Sequence, residues 1–346
     1  MSEKSRITLG LIGTGRIGRL HAEHLRFRLP AADLRVVTDL DRNSAQACAD
    51  RCGIPRVAAD HREILADRDL QAVVVCSPTD THADIIEAAA AAGKHVFCEK
   101  PIEVNLQRID RVLSAVAHAG VLLQIGFNRR FDANFQRIRK AVKEGEIGTP
   151  HQVHIISRDP APPPVEYIRQ SGGIFLDMTI HDFDMARFLI GSEVEEVYAT
   201  GGVRIDAAIG EAGDFDTATI LLKFADGTVG IVENSRQAVY GYDQRVEVFG
   251  SKGSIQAGNN YPNTCRIAGA GGVGRDLPLN FFMDRYTQSY LDEMAQFLEA
   301  IATDGPSPVS GVDARVPVVM ARAACRSVQE NRPVRLAEIE AEGASG

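Results

Sequence analysis

The chain contains no C-x-x-C pair, no excess of basic residues, no apolar run of membrane-spanning length and no internal repeat. Each absence removes a class. Acids outnumber bases 46 to 38 and the net charge is −8, which argues against non-specific binding to phosphate backbones; no nucleic-acid partner is expected. No stretch reaches the roughly 20 apolar residues of a membrane helix, so no membrane partner is expected either. The opening Met1–Arg6 runs into a strand without the pattern of a signal peptide, and a cytoplasmic location is expected. Of the six cysteines, Cys76 and Cys98 close apolar runs where buried thiols are common. Cys48 and Cys52 lie four apart on a helical stretch, half of a metal site that no neighbouring Cys or His pair completes, so no metal is expected.

What is present is the composition of a globular protein, 45% apolar and 24% charged, at a length of 346 residues that suggests two domains. From Ile7 to about Gly126 strands and helices alternate. Strands are predicted at Ile7–Ile12, Leu34–Thr38, Ala72–Cys76, His95–Cys98 and Leu122–Gly126, and helices over Arg16–Leu29, Ser44–Cys52, from Thr81 to Gly93 and over Leu106–Ala119. That alternation implies a doubly wound parallel sheet, an α/β Rossmann domain over residues 1–126. Thr81 with Asp84 resembles a capping box. After about Pro150 the pattern changes to strands with short connections: Val153–Ser157, Val194–Thr200, Thr217–Phe224, Val229–Asn234, Val246–Phe249 and Ser254–Ala257. Helices are expected around Met178–Ile190 and Tyr286–Ala302, with Asp226-Gly227 as a hairpin turn. Residues 127–340 therefore read as a second α/β domain with a large, open, mostly antiparallel sheet. Pro160–Pro164 and Gly269–Gly274 read as loops, and the final residues, AEGASG, as a frayed tail.

Gly13-Thr14-Gly15-Arg16-Ile17-Gly18 fits G-x-G-x-x-G between the first strand and the first helix. The first glycine permits the tight turn, the second lets the backbone approach a pyrophosphate, and the third lets helix and strand pack closely. The helix N-terminus offers free N–H groups to the anion. Gly269–Gly274 repeats the pattern, but Pro278 follows and no helix opens, so this copy is rejected. Asp39 ends the second strand 21 residues after Gly18, where a carboxylate accepts from an adenosine ribose and repels a 2′-phosphate. NAD is favoured over NADP on that ground. Arg42 could pair with such a phosphate, and a turn acid before a helix is the alternative for Asp39.

Lys100 follows an apolar strand in Cys98-Glu99-Lys100-Pro101. Spacing alone fits equally a lysine at the cleft beyond the strand ends and a surface lysine before a proline. Asp177 and His181, four apart, would share one face of a helix, an acid beside an imidazole as general-base chemistry needs. A buried histidine bonded to a neighbouring acid, or a two-ligand fragment of a metal site, would look the same.

Taken together, the fingerprint, the Glu99-Lys100-Pro101 triplet and the Asp177-x-x-x-His181 pair resemble the Gfo/Idh/MocA oxidoreductase family. Cys76–His82, Gly126–Asp132, Ser157–Pro160, Gly173–Phe183 and Gly241–Arg245 resemble its inositol 2-dehydrogenase branch, and the likeness runs from Ile7 to about Arg335. The resemblance implies NAD as cofactor and oxidation of myo-inositol to 2-inosose (scyllo-inosose), the first step of inositol catabolism, by a homotetramer joined through sheet faces. It implies a catalytic trio of Lys100, Asp177 and His181, with Arg129, Asp159, Thr179 and Tyr242 in segments lining the polyol pocket. Ser77, Thr79, His82 and Glu99 fall near the nicotinamide end of the cofactor. Either His181 or Lys100 could be the base. Alternatives are a dehydrogenase of another cyclitol or sugar (scyllo- or chiro-inositol, glucose) and a non-catalytic dinucleotide sensor on the same fold.

Overall fold

A computed structural model describes residues 6–345. The predicted reading of Met1–Ser5 as free of a leader lies outside the described residues. Two compact units are present, one built from residues up to Asn128 together with Gln288–Arg315, the other from Arg129–Thr287 and Val316 onward.

The first unit holds a six-stranded parallel sheet of β1 (Ile7–Ile12), β2 (Ala32–Thr38), β3 (Arg56–Val57), β4 (Ala72–Val75), β5 (His95–Glu99) and β6 (Leu123–Gly126), in the order β3-β2-β1-β4-β5-β6. Every residue of β1 and β4 is buried, as expected of strands covered by helices on both faces. Capping residues set the helix limits. Asp41 accepts from Asn43 N at the start of Arg42–Cys52, Asn105 accepts from Arg108 N at the start of Leu106–Ala119, and Gly53 and Gly120 end these helices in the left-handed conformation. The spacing of Thr81 and Asp84 does not become a capping box. The Thr81 hydroxyl lies 2.7 Å from Pro78 O and 2.6 Å from Ser77 Oγ, a short 3₁₀ turn precedes helix His82–Ala91, and Asp84 pairs with Arg108.

Where the sequence suggests one continuous second domain over residues 127–340, helix Thr287–Thr303 belongs mostly to the first unit. Met294, Phe297 and Leu298 enter the core with Leu9, Leu11, Val37, Val74 and Phe97, and Phe297 meets Phe97 edge-on at 5.8 Å. Burying those apolar side chains against the sheet outweighs continuity along the chain.

The second unit contains β7 (Pro150–Arg158), β8 (Val194–Gly202), β9 (Thr217–Phe224), β10 (Val229–Ser235), β11 (Asp243–Gly250), β12 (Gly253–Ala257), β13 (Ile267–Gly269), β14 (Gly272–Gly274) and β15 (Val334–Arg335). Seven of these strands form one sheet, in the order β12-β11-β7-β10-β9-β8-β15. All neighbours are antiparallel except β7 and β10, whose parallel pairing sets Arg158 beside Ser235. β9 alternates buried and exposed residues along its length, the mark of a sheet with one covered face. Gly227, at φ +88°, makes the β9–β10 turn. The second G-x-G-x-x-G copy forms an exposed two-stranded hairpin, β13–β14, rather than an irregular loop, and no helix opens from it. The chain end is also more regular than its composition suggests, since helix Leu336–Ser345 takes in Ala341 to Ser345.

Candidate functional site

In the first unit the three fingerprint glycines have three different reasons to be glycine. Gly13 has φ +94°, and a Cβ there would lie 2.6 Å from the carbonyl of Cys76. A Cβ on Gly18 would lie 2.0 Å from Gly13 O, so the first turn of helix Arg16–Phe27 is in backbone contact with the loop. A Cβ on Gly15 would meet nothing within 4 Å. Gly15 caps the helix without a side chain, and no acidic residue occupies the first turn, so its N–H groups keep their attraction for an anion. The loop thus has the open backbone surface that a dinucleotide pyrophosphate requires, and its residues fit that group.

Asp39 is tied into the same loop. Its Oδ2 accepts from Thr14 N at 2.6 Å and from the Thr14 hydroxyl at 3.0 Å, while Oδ1 accepts from Asp41 N at 2.9 Å. It is therefore a turn acid and a loop anchor together. Arg19, which the sequence did not single out, binds Thr14 O and Ser44 Oγ and adds a cation beside the fingerprint. Arg16 and Ile17 form the first turn, and Arg42 starts the next helix, exposed.

At the ends of β4 and β5 the expected nicotinamide-side residues divide. Ser77 is half-buried with its hydroxyl on Thr81, and Thr79 is half-buried in the following turn. His82 is buried with both ring nitrogens 2.8 Å from backbone carbonyls, Nδ1 from Pro101 O and Nε2 from Ser77 O. That leaves no ring nitrogen for a ligand, and the residue braces the β4 and β5 loops instead. Glu99 turns inward, with Oε1 2.8 Å from His21 Nε2. Lys100 follows it, half-buried, with a cis bond to Pro101.

In the second unit the polar residues gather where β7 and β10 end and β11 begins. Parallel pairing places Asp159, just beyond β7, beside Arg236, just beyond β10: Asp159 N donates to Ser235 O and Ala238 N donates to Asp159 O. Arg129, 5% exposed, donates to Ser157 Oγ at 3.1 Å, to Asp182 Oδ1 at 2.6 Å and to the Tyr242 hydroxyl at 3.4 Å. Asp182 also accepts from Asn234 Nδ2 at 2.7 Å, and Ser157 Oγ donates to Gln244 Oε1. Burial pushes the Tyr242 hydroxyl well above its usual range. The Asp159 carboxyl is pushed up to about 6 by burial and by the like charge of Asp177, against the opposing pull of Arg129 and Arg236.

Asp177 and His181 do not share one helix. Asp177 ends the one-turn helix Ile174–Asp177 and His181 lies in Thr179–Ile190, with Met178 at the break. The Asp177 carboxylate accepts from the Tyr167 hydroxyl at 2.9 Å and from Arg236 at 3.4 Å, and Arg236 also reaches Asp214 at 3.1 Å. Thr179 is fully buried with its hydroxyl 2.6 Å from Asn234 Oδ1, so it holds Asn234 rather than facing a ligand. Ser157, Asp182 and Gln244 fall inside segments that carry the resemblance but have no role assigned by it, and Asn234, Arg236 and Tyr167 lie outside every motif. These last three meet the site only through tertiary pairing.

Residues 7–127 match the model of an oxidoreductase family with an NAD-binding Rossmann fold, and residues 135–256 match the GFO/IDH/MocA C-terminal domain. The chain is 47% identical over 331 residues to the myo-inositol 2-dehydrogenase of Thermotoga maritima, covering 96% of this chain and 99% of the relative. It is equally similar, over the same shares, to the inositol 2-dehydrogenase of Rhizobium meliloti. Among solved structures, that of scyllo-inositol dehydrogenase from Lactobacillus casei with bound NAD(H) and scyllo-inositol superposes at a TM-score of 0.91 with 30% identity, covering 96% of this chain and all of the other.

Proposed function

This chain belongs to the Gfo/Idh/MocA oxidoreductase family, and on that premise we propose that it is an NAD-dependent inositol 2-dehydrogenase that oxidises myo-inositol to 2-inosose. The observation that carries the substrate class is the second unit's dense set of hydrogen-bonding groups. Arg129, Tyr242 and Asp159 supply both donors and acceptors at the ends of β7 and β10, with Asp182 and Asn234 holding them in place, as a ligand with a hydroxyl on every carbon requires. The two 47% identical relatives support the same reading.

NAD, when bound, supplies the hydride acceptor. In this reading the Gly13–Gly18 backbone takes the pyrophosphate, Asp39 the adenosine ribose, and Ser77 and Thr79 the nicotinamide end. Hydride leaves carbon as the hydroxyl proton leaves oxygen. His181 accepts that proton, Asp177 supplies the negative charge that favours the imidazolium, and Lys100 donates to the developing alkoxide. Tyr167 and Arg236 hold the Asp177 carboxylate in place. Arg129, Asp159 and Tyr242 bind the remaining hydroxyls.

We further propose a cytoplasmic homotetramer. The sheet face carrying Leu221, Ile231 and His154 in one cross-strand row, and Val229, Gln152 and Phe249 in the next, leaves Leu221, Val229 and Phe249 exposed. Light scattering of the purified protein tests that assembly. Among the described residues no helix is long and apolar enough to cross a membrane.

NADH formation from NAD and myo-inositol, measured beside scyllo-inositol, glucose and NADP, tests the activity. Turnover with myo-inositol and NAD supports it. Turnover on another polyol alone moves the substrate, and cofactor binding with no turnover on any of them overturns the enzyme reading.

A further inference from the structure

Outside the groups used above, the first unit buries a second set of titratable side chains. His21 on helix Arg16–Phe27, Glu99 at the end of β5 and Glu293 on helix Thr287–Thr303 bring one nitrogen and two carboxyl oxygens within 4.8 Å of one another. Glu293 is 0% exposed and neither of its carboxyl oxygens has a hydrogen-bond partner among the described residues. Its own backbone oxygen accepts from Gln124 Nε2, which fixes the helix against β6. The neighbouring core is apolar, with Phe97, Met294 and Phe297. Among the described residues, His21 and Glu99 stand by Glu293 with the Cys76 thiol, and the Cys98 thiol stands by Glu99.

Two carboxylates this close, one of them fully buried, are not both ionised without a cation between them. A metal ion could fill that role, but His21 Nε2 lies 2.8 Å from Glu99 Oε1, and an ionised carboxylate only accepts. With Glu99 ionised, Nε2 carries the proton and donates it to Oε1, so this pair is satisfied without a metal ion. In that arrangement a proton on Glu293 removes the second buried charge. Burial and the charge of Glu99 both push the Glu293 carboxyl well above its usual range, in the same direction.

We propose that Glu293 is a neutral carboxylic acid in the working enzyme and a positioning residue that holds the Glu99 carboxylate through its acid proton. The carboxyl separation is spanned by a small side-chain rotation or by one water. Glu99 is thereby kept as a single negative charge at the end of β5, immediately before Lys100. This inference rests on the dehydrogenase reading for its consequence, but not for its test.

The test uses the whole purified protein. Difference infrared spectroscopy of wild type against Glu293→Gln at pH 7 should show the carbonyl stretch of a protonated carboxylic acid in the wild type alone. NADH affinity, followed by the cofactor's own fluorescence, should remain within about twofold in Glu293→Gln, which still donates a hydrogen bond, and fall about tenfold in Glu293→Met, which does not. Absence of the acid band overturns the proposal. So does a Glu293→Met protein that binds NADH like wild type. A Glu293→Gln protein as impaired as Glu293→Met, with a divalent metal found in the wild type by elemental analysis, replaces the shared proton with a metal site. If Glu293→Met does not fold, Glu99→Gln takes its place: the acid band should persist and shift while NADH affinity falls, and an unshifted band overturns the coupling. Neither readout needs turnover, so a failure of inositol as substrate leaves this test standing.

Discussion

The glycine loop offers a prediction in which folding and binding separate. Gly18 and Gly15 are three residues apart in one motif, yet a Cβ added to the first would lie 2.0 Å from Gly13 O and one added to the second would meet nothing within 4 Å. Gly18→Ala must push helix Arg16–Phe27 off the loop by more than an ångström to regain contact distance, against the packing of Ala22 and Leu25 in the core. Overpacking of this kind costs about 1–3 kcal/mol. At roughly 2–4 °C per kcal/mol for a domain of this size, the melting temperature should fall by about 2–12 °C, and NAD affinity should fall with it. Gly15→Ala needs no such movement, since its backbone at φ −63° is open to alanine. Its melting temperature should stay within about 2 °C of wild type. The new methyl would stand on the surface offered to the pyrophosphate, and a loss of two or three backbone hydrogen bonds to a charged group corresponds to at least a tenfold weaker Kd. Thermal scans paired with NADH fluorescence titrations measure both quantities on each variant. If Gly15→Ala binds NADH as wild type does, the pyrophosphate does not lie over Gly15. If Gly18→Ala melts with wild type, the helix is not held against the loop as described.

Arg236→Met should destabilise the second unit by about 3–5 kcal/mol in denaturant unfolding, because it leaves Asp177 and Asp214 without the buried guanidinium that joins them. His181→Ala should lower kcat by about 10²–10⁴ with the fold intact; a mild loss there and an abolished rate in Lys100→Met would make Lys100 the base. Replacing Asp39 by Asn should raise the ratio of NADP to NAD turnover, and an unchanged ratio would remove Asp39 from the ribose site. The Asp159 carboxyl, raised from 3.8 to about 6, binds its proton more tightly in the folded protein than in the unfolded chain. Stability should therefore decline as pH rises from 3.8 to about 6, and Asp159→Asn should flatten that slope in unfolding curves taken across the window.

Much of the fold is readable because local pattern and tertiary outcome agree. Leu106–Ala119 and Thr217–Phe224 have the bounds that helical spacing and strand alternation suggest, since each presents its apolar side chains to one core. The glycine fingerprint is readable for a different reason. Its three constraints are all imposed within six residues and one neighbouring strand, and the context of strand and helix separates it from the copy that became the β13–β14 hairpin.

The second unit's site is less legible, because its residues meet through a pairing that no local pattern encodes. β7 and β10 lie parallel with β8 and β9 between them in the sequence, and that register brings Asp159 to Arg236 and sets Ser157, a partner of Arg129, beside Asn234, a partner of Asp182. Helical spacing gave Asp177 to His181 as its natural neighbour. The helix breaks at Met178, and the carboxylate also accepts from Tyr167 and from an arginine 59 residues away. Thr81 failed as a cap in the same way, its hydroxyl drawn to Pro78 O and Ser77 Oγ. Glu293 is the extreme case. On a helix surface pattern it is one more acid, and only the return of Gln288–Arg315 to the first unit buries it beside Glu99 and His21. A buried ionisable group without a counter-charge cannot be inferred from spacing, because the cost that makes it informative arises from the packing itself.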